Sequence, residues 1–162
     1  MNLAHYHLLL NHFPIIGTIL SFVILVVGTI IKNETVKKTA YWSFIVTGLL
    51  SFPAYFTGES AEYAIEGLPG VDKHLIHEHE EIAGLGLWLS ITLGIAAFLA
   101  LQFIQKSKAN LINYFVLLFG LSVICLFTYI GYTGGIIRHP EIEHNLKQDK
   151  DFDLKEKIKD KD

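Results

Sequence analysis

Four stretches of this 162-residue chain lack Asp, Glu, Lys and Arg altogether: residues 13–31, 39–58, 82–104 and 111–137. Each is near or above the roughly 20 residues that a helix needs to cross a bilayer. Too little polar sequence remains to cover four such runs in water. That excludes a soluble globule and predicts an all-α, integral membrane four-helix bundle in contact with the lipid bilayer. Cysteine is scarce too. The single one, Cys125, lies inside the fourth run, which excludes an internal disulfide and reads as a small buried apolar residue. Lys and Arg are absent from the first dozen residues, and no small-residue cleavage site follows the first run. The first run is therefore expected to be retained as a span rather than removed as a signal peptide. No basic stripe is present, so a nucleic-acid partner is not expected.

The charge that is present sits between the runs. The short connections "KNETVKK" and "QKSKAN" carry Lys32, Lys37, Lys38, Lys106 and Lys108, whereas the long middle connection holds Lys73 against seven acidic residues from Glu59 to Glu81. Basic residues favour the cytoplasmic side, so the two short loops are expected inside and both termini outside, in the periplasm. Tyr41 and Trp42 then fall at the inner interface, Tyr55 and Tyr132 at the outer one. Residues 1–146 form the expected transmembrane domain with its periplasmic polar cap. Residues 147–162, "KQDKDFDLKEKIKDKD", alternate charges with few apolar residues and are expected to be a disordered tail. A faint repeat pairs "HFPIIG" with "HEEIAG" and "FTGE" with "YTGG", as two related hairpins would. Pro14 and Pro53 can each kink a helix.

All eight histidines fall on the outer side in this topology, together with the acids of "TGESAEYAIEG". Glu59, Glu62 and Glu66, at i, i+3 and i+7, share a face if the second helix continues past the membrane. His74, His77, Glu78 and Glu81 share a face at the start of the third helix, with His79 and Glu80 pointing elsewhere. His5 and His12 share a face, with His7 turned away. Pro140 favours an extended conformation at His139 and makes it a candidate to reach inward.

Carboxylates crowded on one face repel unless protonated, solvated or neutralised by a cation, and imidazole with carboxylate suits Fe, Mn, Zn or Cu. The expected ligands of one or two such ions are His12, Glu59, Glu62, His77, Glu78, Glu81 and His139. The set departs from the Glu plus Glu-x-x-His pattern of soluble di-iron bundles, because the third helix offers His-x-x-His and Glu-x-x-Glu instead. The alternative is b-type haem held by two facing imidazoles, for which His12 and His79 occupy matching places in the repeat. A third reading needs no cofactor: acidic residues near a helix N-terminus are favourable in themselves, and helix ends outside a membrane must be polar. Arg138 is a candidate partner for Glu59 or Glu62. The span interiors offer only Ser, Thr and Tyr as polar groups, which argues against a transported metal.

The motifs "HFPIIG", "TGESAE", "HEHEE" and "GGIIRHPEI" resemble those of a group of small, uncharacterised bacterial four-span membrane proteins with a cytochrome b-like arrangement, over most of residues 5–143. The resemblance implies a bacterial inner-membrane location and a shared polar site at these helix ends, and it supplies no reaction. The expected function is a metalloprotein, a membrane oxidoreductase if its metal is redox-active. It would be coupled to the quinone pool or to periplasmic electron carriers. A homo-oligomer stays open.

Overall fold

The computed structural model describes residues 3–66, 68, 71–106 and 109–139. Its elements are α1 (Leu3–Leu10), α2 (His12–Ile30), α3 (Glu34–Phe56), α4 (Gly58–Ile65), α5 (Lys73–Phe103) and α6 (Ala109–Arg138), with no strand among the described residues. The four long helices overlie the four charge-free runs. In space α2 packs on α3, α3 on α5, α5 on α6 and α6 back on α2, while the short α1 and α4 pack on each other at one end. The tail, residues 147–162, lies outside the described residues.

Local chemistry places the helix starts. The Asn33 side chain accepts from the backbone N–H of Thr35 and Val36 at 2.9 and 3.2 Å, and that of Asp72 accepts from His74 at 2.8 Å. Pro14 falls in the first turn of α2, where its missing N–H costs little. Pro53 falls near the end of α3, and the helix stops at Phe56 with Thr57 as its cap. The second helix therefore does not run straight on: α4 is a separate element, and Glu59, Glu62 and Glu66 are not carried on an extension of α3.

Three stretches, His5–Ile30, Lys73–Phe103 and Ala109–Ile137, are helical, long and apolar enough to cross a membrane. Only 28%, 33% and 28% of their most apolar windows are buried inside the protein, so most of that apolar surface faces outward. Helix α3 is 23 residues long but is not in this set, because it carries Tyr41, Trp42, Ser43, Thr47 and Ser51. Most of that polarity is used internally. Tyr41, Thr47 and Ser51 are buried, the Ser51 and Ser90 hydroxyls lie 2.8 Å apart, and those of Ser21 and Ser43 2.7 Å apart. Outward, α3 shows Trp42, Val46, Leu49, Phe52 and Phe56, an apolar stripe at helical spacing.

The core is Leu25, Tyr41, Phe44, Leu93, Val116, Val123 and Phe127 with Ala40, Ala97 and Ala100. Small residues let α3 and α5 approach closely: a Cβ on Gly48 would lie 3.0 Å from the backbone oxygen of Ser90. Two expectations are corrected here. Tyr41 is 2% exposed and belongs to the core rather than to an interface, since its hydroxyl donates to Asn113 Oδ1 at 2.8 Å. Cys125 is exposed, not buried, because it falls on the outward face of α6 with Leu118 and Leu121.

Candidate cofactor site

The end of the bundle that carries α1 and α4 also carries the histidines. Packing of α1 on α4 and α3 brings His7, half-buried, to the junction where α3 ends. Its Nδ1 lies 3.0 Å from the backbone oxygen of Ala54 and 3.2 Å from Thr57 Oγ1. A carbonyl oxygen can only accept, so Nδ1 carries the proton. The Thr57 hydroxyl gives its own proton to the Pro53 carbonyl at 2.8 Å and is left as an acceptor toward His7. The network thus assigns one tautomer to His7, with Nδ1–H donating and the Nε2 lone pair uncommitted.

A second unit repeats the arrangement. His79 on α5 is half-buried, and its Nδ1 lies 2.9 Å from Thr133 Oγ1 on α6. Thr133 has one hydroxyl proton, for the Ile130 carbonyl at 3.0 Å or for Nδ1; in the first arrangement its oxygen receives the Nδ1–H of His79, and Nε2 has no partner among the described residues. In both units the residue after the threonine is glycine, and each lies against the imidazole. A Cβ on Gly58 would stand 3.6 Å from His7 Cε1, and one on Gly134 would stand 3.0 Å from His79 Cε1. The separations along the chain, 50 residues from His7 to Thr57 and 54 from His79 to Thr133, show that each unit closes one helical hairpin. Between the hairpins, Tyr55 lies against α5, its hydroxyl 3.6 Å from where a Cβ on Gly84 would be.

The other expected residues are placed differently. His12 is exposed and its Nδ1 donates to the Leu8 carbonyl at 2.7 Å, within its own helical segment. His74, His77, Glu78 and Glu81 are all exposed on α5. His77 Nε2 lies 3.3 Å from Glu81 and its Nδ1 4.0 Å from Glu80, while His74 lies 3.7 Å from Glu78. The face turned inward is the one with Ile76, His79, Ala83 and Gly86, so the assignment of faces expected on this helix is reversed. Glu59 is exposed and Glu62 half-buried on α4, and Glu66 pairs with Lys73 at 2.6 Å. His139 is exposed, with its backbone N–H continuing to the carbonyls of Gly135 and Ile136. Among the described residues no three His, Cys, Asp or Glu side chains gather as an ion would need.

No family model, curated protein or solved structure matches this chain. Its site must therefore be read from its own geometry. Sequence reasoning missed His7 and both threonines. The signal was in the pair "FTGE" and "YTGG", whose shared Thr-Gly marks the two positions where an imidazole is received.

Proposed function

We propose that this chain is a bacterial inner-membrane protein whose four long helices all cross the bilayer, and that His7 and His79 hold a b-type haem for electron transfer. What carries the reading is the matched pair of half-buried imidazoles on different helices, each with Nδ1 against a threonine hydroxyl, at 3.2 Å for His7 and 2.9 Å for His79, and with no partner for Nε2 among the described residues. Haem iron held by imidazole uses that nitrogen, and a partner on the other nitrogen sets ring orientation and basicity. A bound haem would supply one-electron chemistry; the chain's own part is to hold the two rings and exclude solvent from them. The fourth crossing, by α3, is supported by its outward stripe of Trp42, Val46, Leu49, Phe52 and Phe56. The lysine-bearing loops favour the cytoplasm, which leaves the histidine end on the periplasmic side, where a soluble electron carrier or membrane quinone is the natural partner.

A second reading keeps a non-haem ion on His77 and Glu81 with Glu78, Glu59, Glu62, His12 and His139 as further donors. The 3.3 Å approach of His77 Nε2 to Glu81 Oε1 favours it. One preparation separates the two: a visible spectrum and elemental analysis of detergent-purified protein made with haem supply. The haem reading expects a Soret band that His7→Ala and His79→Ala each abolish and His12→Ala leaves intact. Stoichiometric Fe, Cu, Mn or Zn without a Soret band would replace it with the second reading, and neither signal would leave a membrane protein without a cofactor.

A further inference from the structure

The opposite end of the bundle holds a cavity of about 270 Å³ between the start of α3, the end of α5 and the start of α6. Its floor is hydrogen-bonded: Tyr41 donates to Asn113 Oδ1 at 2.8 Å, one N–H of Asn113 Nδ2 donates to Thr29 Oγ1 at 2.9 Å, and Thr29 donates to the Leu25 carbonyl at 2.7 Å. Its rim is polar and cationic. Lys37 and Lys106 stand there with Gln105 and Asn110, against one carboxylate, Glu34. Among the described residues neither lysine lies within 4.0 Å of a carboxylate, and Glu34 is in no ion pair. Two ammonium groups and amide donors over a concave polar floor match a phosphate group, which takes a point charge from lysine and hydrogen bonds from amides.

We infer that this cavity binds the phosphate of an anionic phospholipid headgroup. The inference rests on the membrane reading above but not on the haem. The chain's own charge placement selects the lipid source: this is the lysine-bearing end, the leaflet it meets is the anionic one, and basic pockets between spanning helices at that depth take lipid headgroups. The apolar outer surface of the same helices, with Trp42 and Phe103 exposed, gives the acyl chains a wall to follow.

The test uses the full chain in neutral detergent micelles, with unfolding followed by tryptophan fluorescence. Phosphatidylglycerol at about ten times its Kd should raise the Tm by roughly 3–6 °C. Phosphatidylcholine and inorganic phosphate at the same concentration should raise it by much less. The double variant Lys37→Gln/Lys106→Gln should lose the shift, Lys37→Arg/Lys106→Arg should keep it, and Lys73→Gln, at the far end, should keep it as well. An equal shift with inorganic phosphate would overturn the lipid source, and retention of the shift in the Gln double variant or its loss in Lys73→Gln would overturn the site. Carbonate extraction of the same membranes reports failure of the membrane reading separately, because a chain that is released has no leaflet to meet.

Discussion

The two ends of the bundle handle polar atoms in opposite ways. At the lysine end, Tyr41, Asn113 and Thr29 form a closed series in which each proton is taken by the next acceptor inward. At the histidine end, the hydroxyls of Thr57, the cap of α3, and Thr133 on α6 lie against Nδ1 of His7 and His79, and neither Nε2 has a partner among the described residues. On the haem reading proposed above, the first end serves stability and the second chemistry.

The largest expected effect attacks the chemical end. On the haem reading, replacing His7 or His79 with Ala removes one of the two imidazoles that would hold the haem, and the Soret absorbance per protein should fall at least tenfold, while the unfolding temperature of the cofactor-free protein stays near that of the parent. Replacing His12, whose ring is exposed, should do neither. Equal loss from all three would show that the histidine end matters only as a whole and that the pair has no special standing.

Next in size is Thr133→Val, which keeps the shape at Thr133 but removes the acceptor of His79 Nδ1–H. Loss of an outer partner of this kind weakens a ligand site by roughly 10–100-fold, and Thr133→Ser should restore it. Thr57→Val should act more weakly, because His7 retains the Ala54 carbonyl as a second acceptor. Haem titration of the purified apo-protein reads both, and a Thr57 effect as large as that of Thr133 would break the argument from the extra carbonyl.

At the structural end, Asn113→Leu leaves the Tyr41 hydroxyl without its acceptor where both residues are 2% exposed, while Thr29 keeps the Leu25 carbonyl. It should cost about 1–3 kcal/mol in reversible unfolding and leave haem binding unchanged. The pair Tyr41→Phe/Asn113→Leu should cost less than the sum of the single changes, because each alone orphans the other's group. Additive losses would mean that the network is not a unit.

These ends were not equally legible in the sequence. The charge-free runs marked all four long helices, because helices beside lipid cannot carry charge cheaply and the pattern is therefore local. The facing of α5 differs from the expectation: its dense titratable face is exposed, because His79 shares its face with Ile76, Ala83 and Gly86, and burying those apolar and small residues decides which side packs. That pattern was readable at i−3, i+4 and i+7. His7 is not readable in the same way: its place depends on the halt of α3 at Phe56 and on the packing of α1 against α4 and α3, which are long-range features. The Thr-Gly pairs are legible as a repeat, but their role depends on the imidazole packed against each, which only the fold brings there.

The smallest effect compares glycines in the two regions. A Cβ on Gly48, deep between α3 and α5, would lie 3.0 Å from the Ser90 carbonyl oxygen, and backbone on a packed helix cannot move aside. Gly48→Ala should therefore cost about 1–3 kcal/mol of stability. A Cβ on Gly134 would lie equally close to His79, at 3.0 Å, but its neighbour is a half-buried side chain at the bundle end that can swing away. Gly134→Ala should cost less than about 1 kcal/mol. The swing would lengthen the 2.9 Å contact between His79 and Thr133, so the change should appear in haem affinity instead of in unfolding. Gly58→Ala, with 3.6 Å to His7 Cε1, meets only ordinary contact and should alter neither. If Gly134→Ala instead destabilises the fold as much as Gly48→Ala, the histidine end is as tightly packed as the core, and the division of labour between the two ends fails.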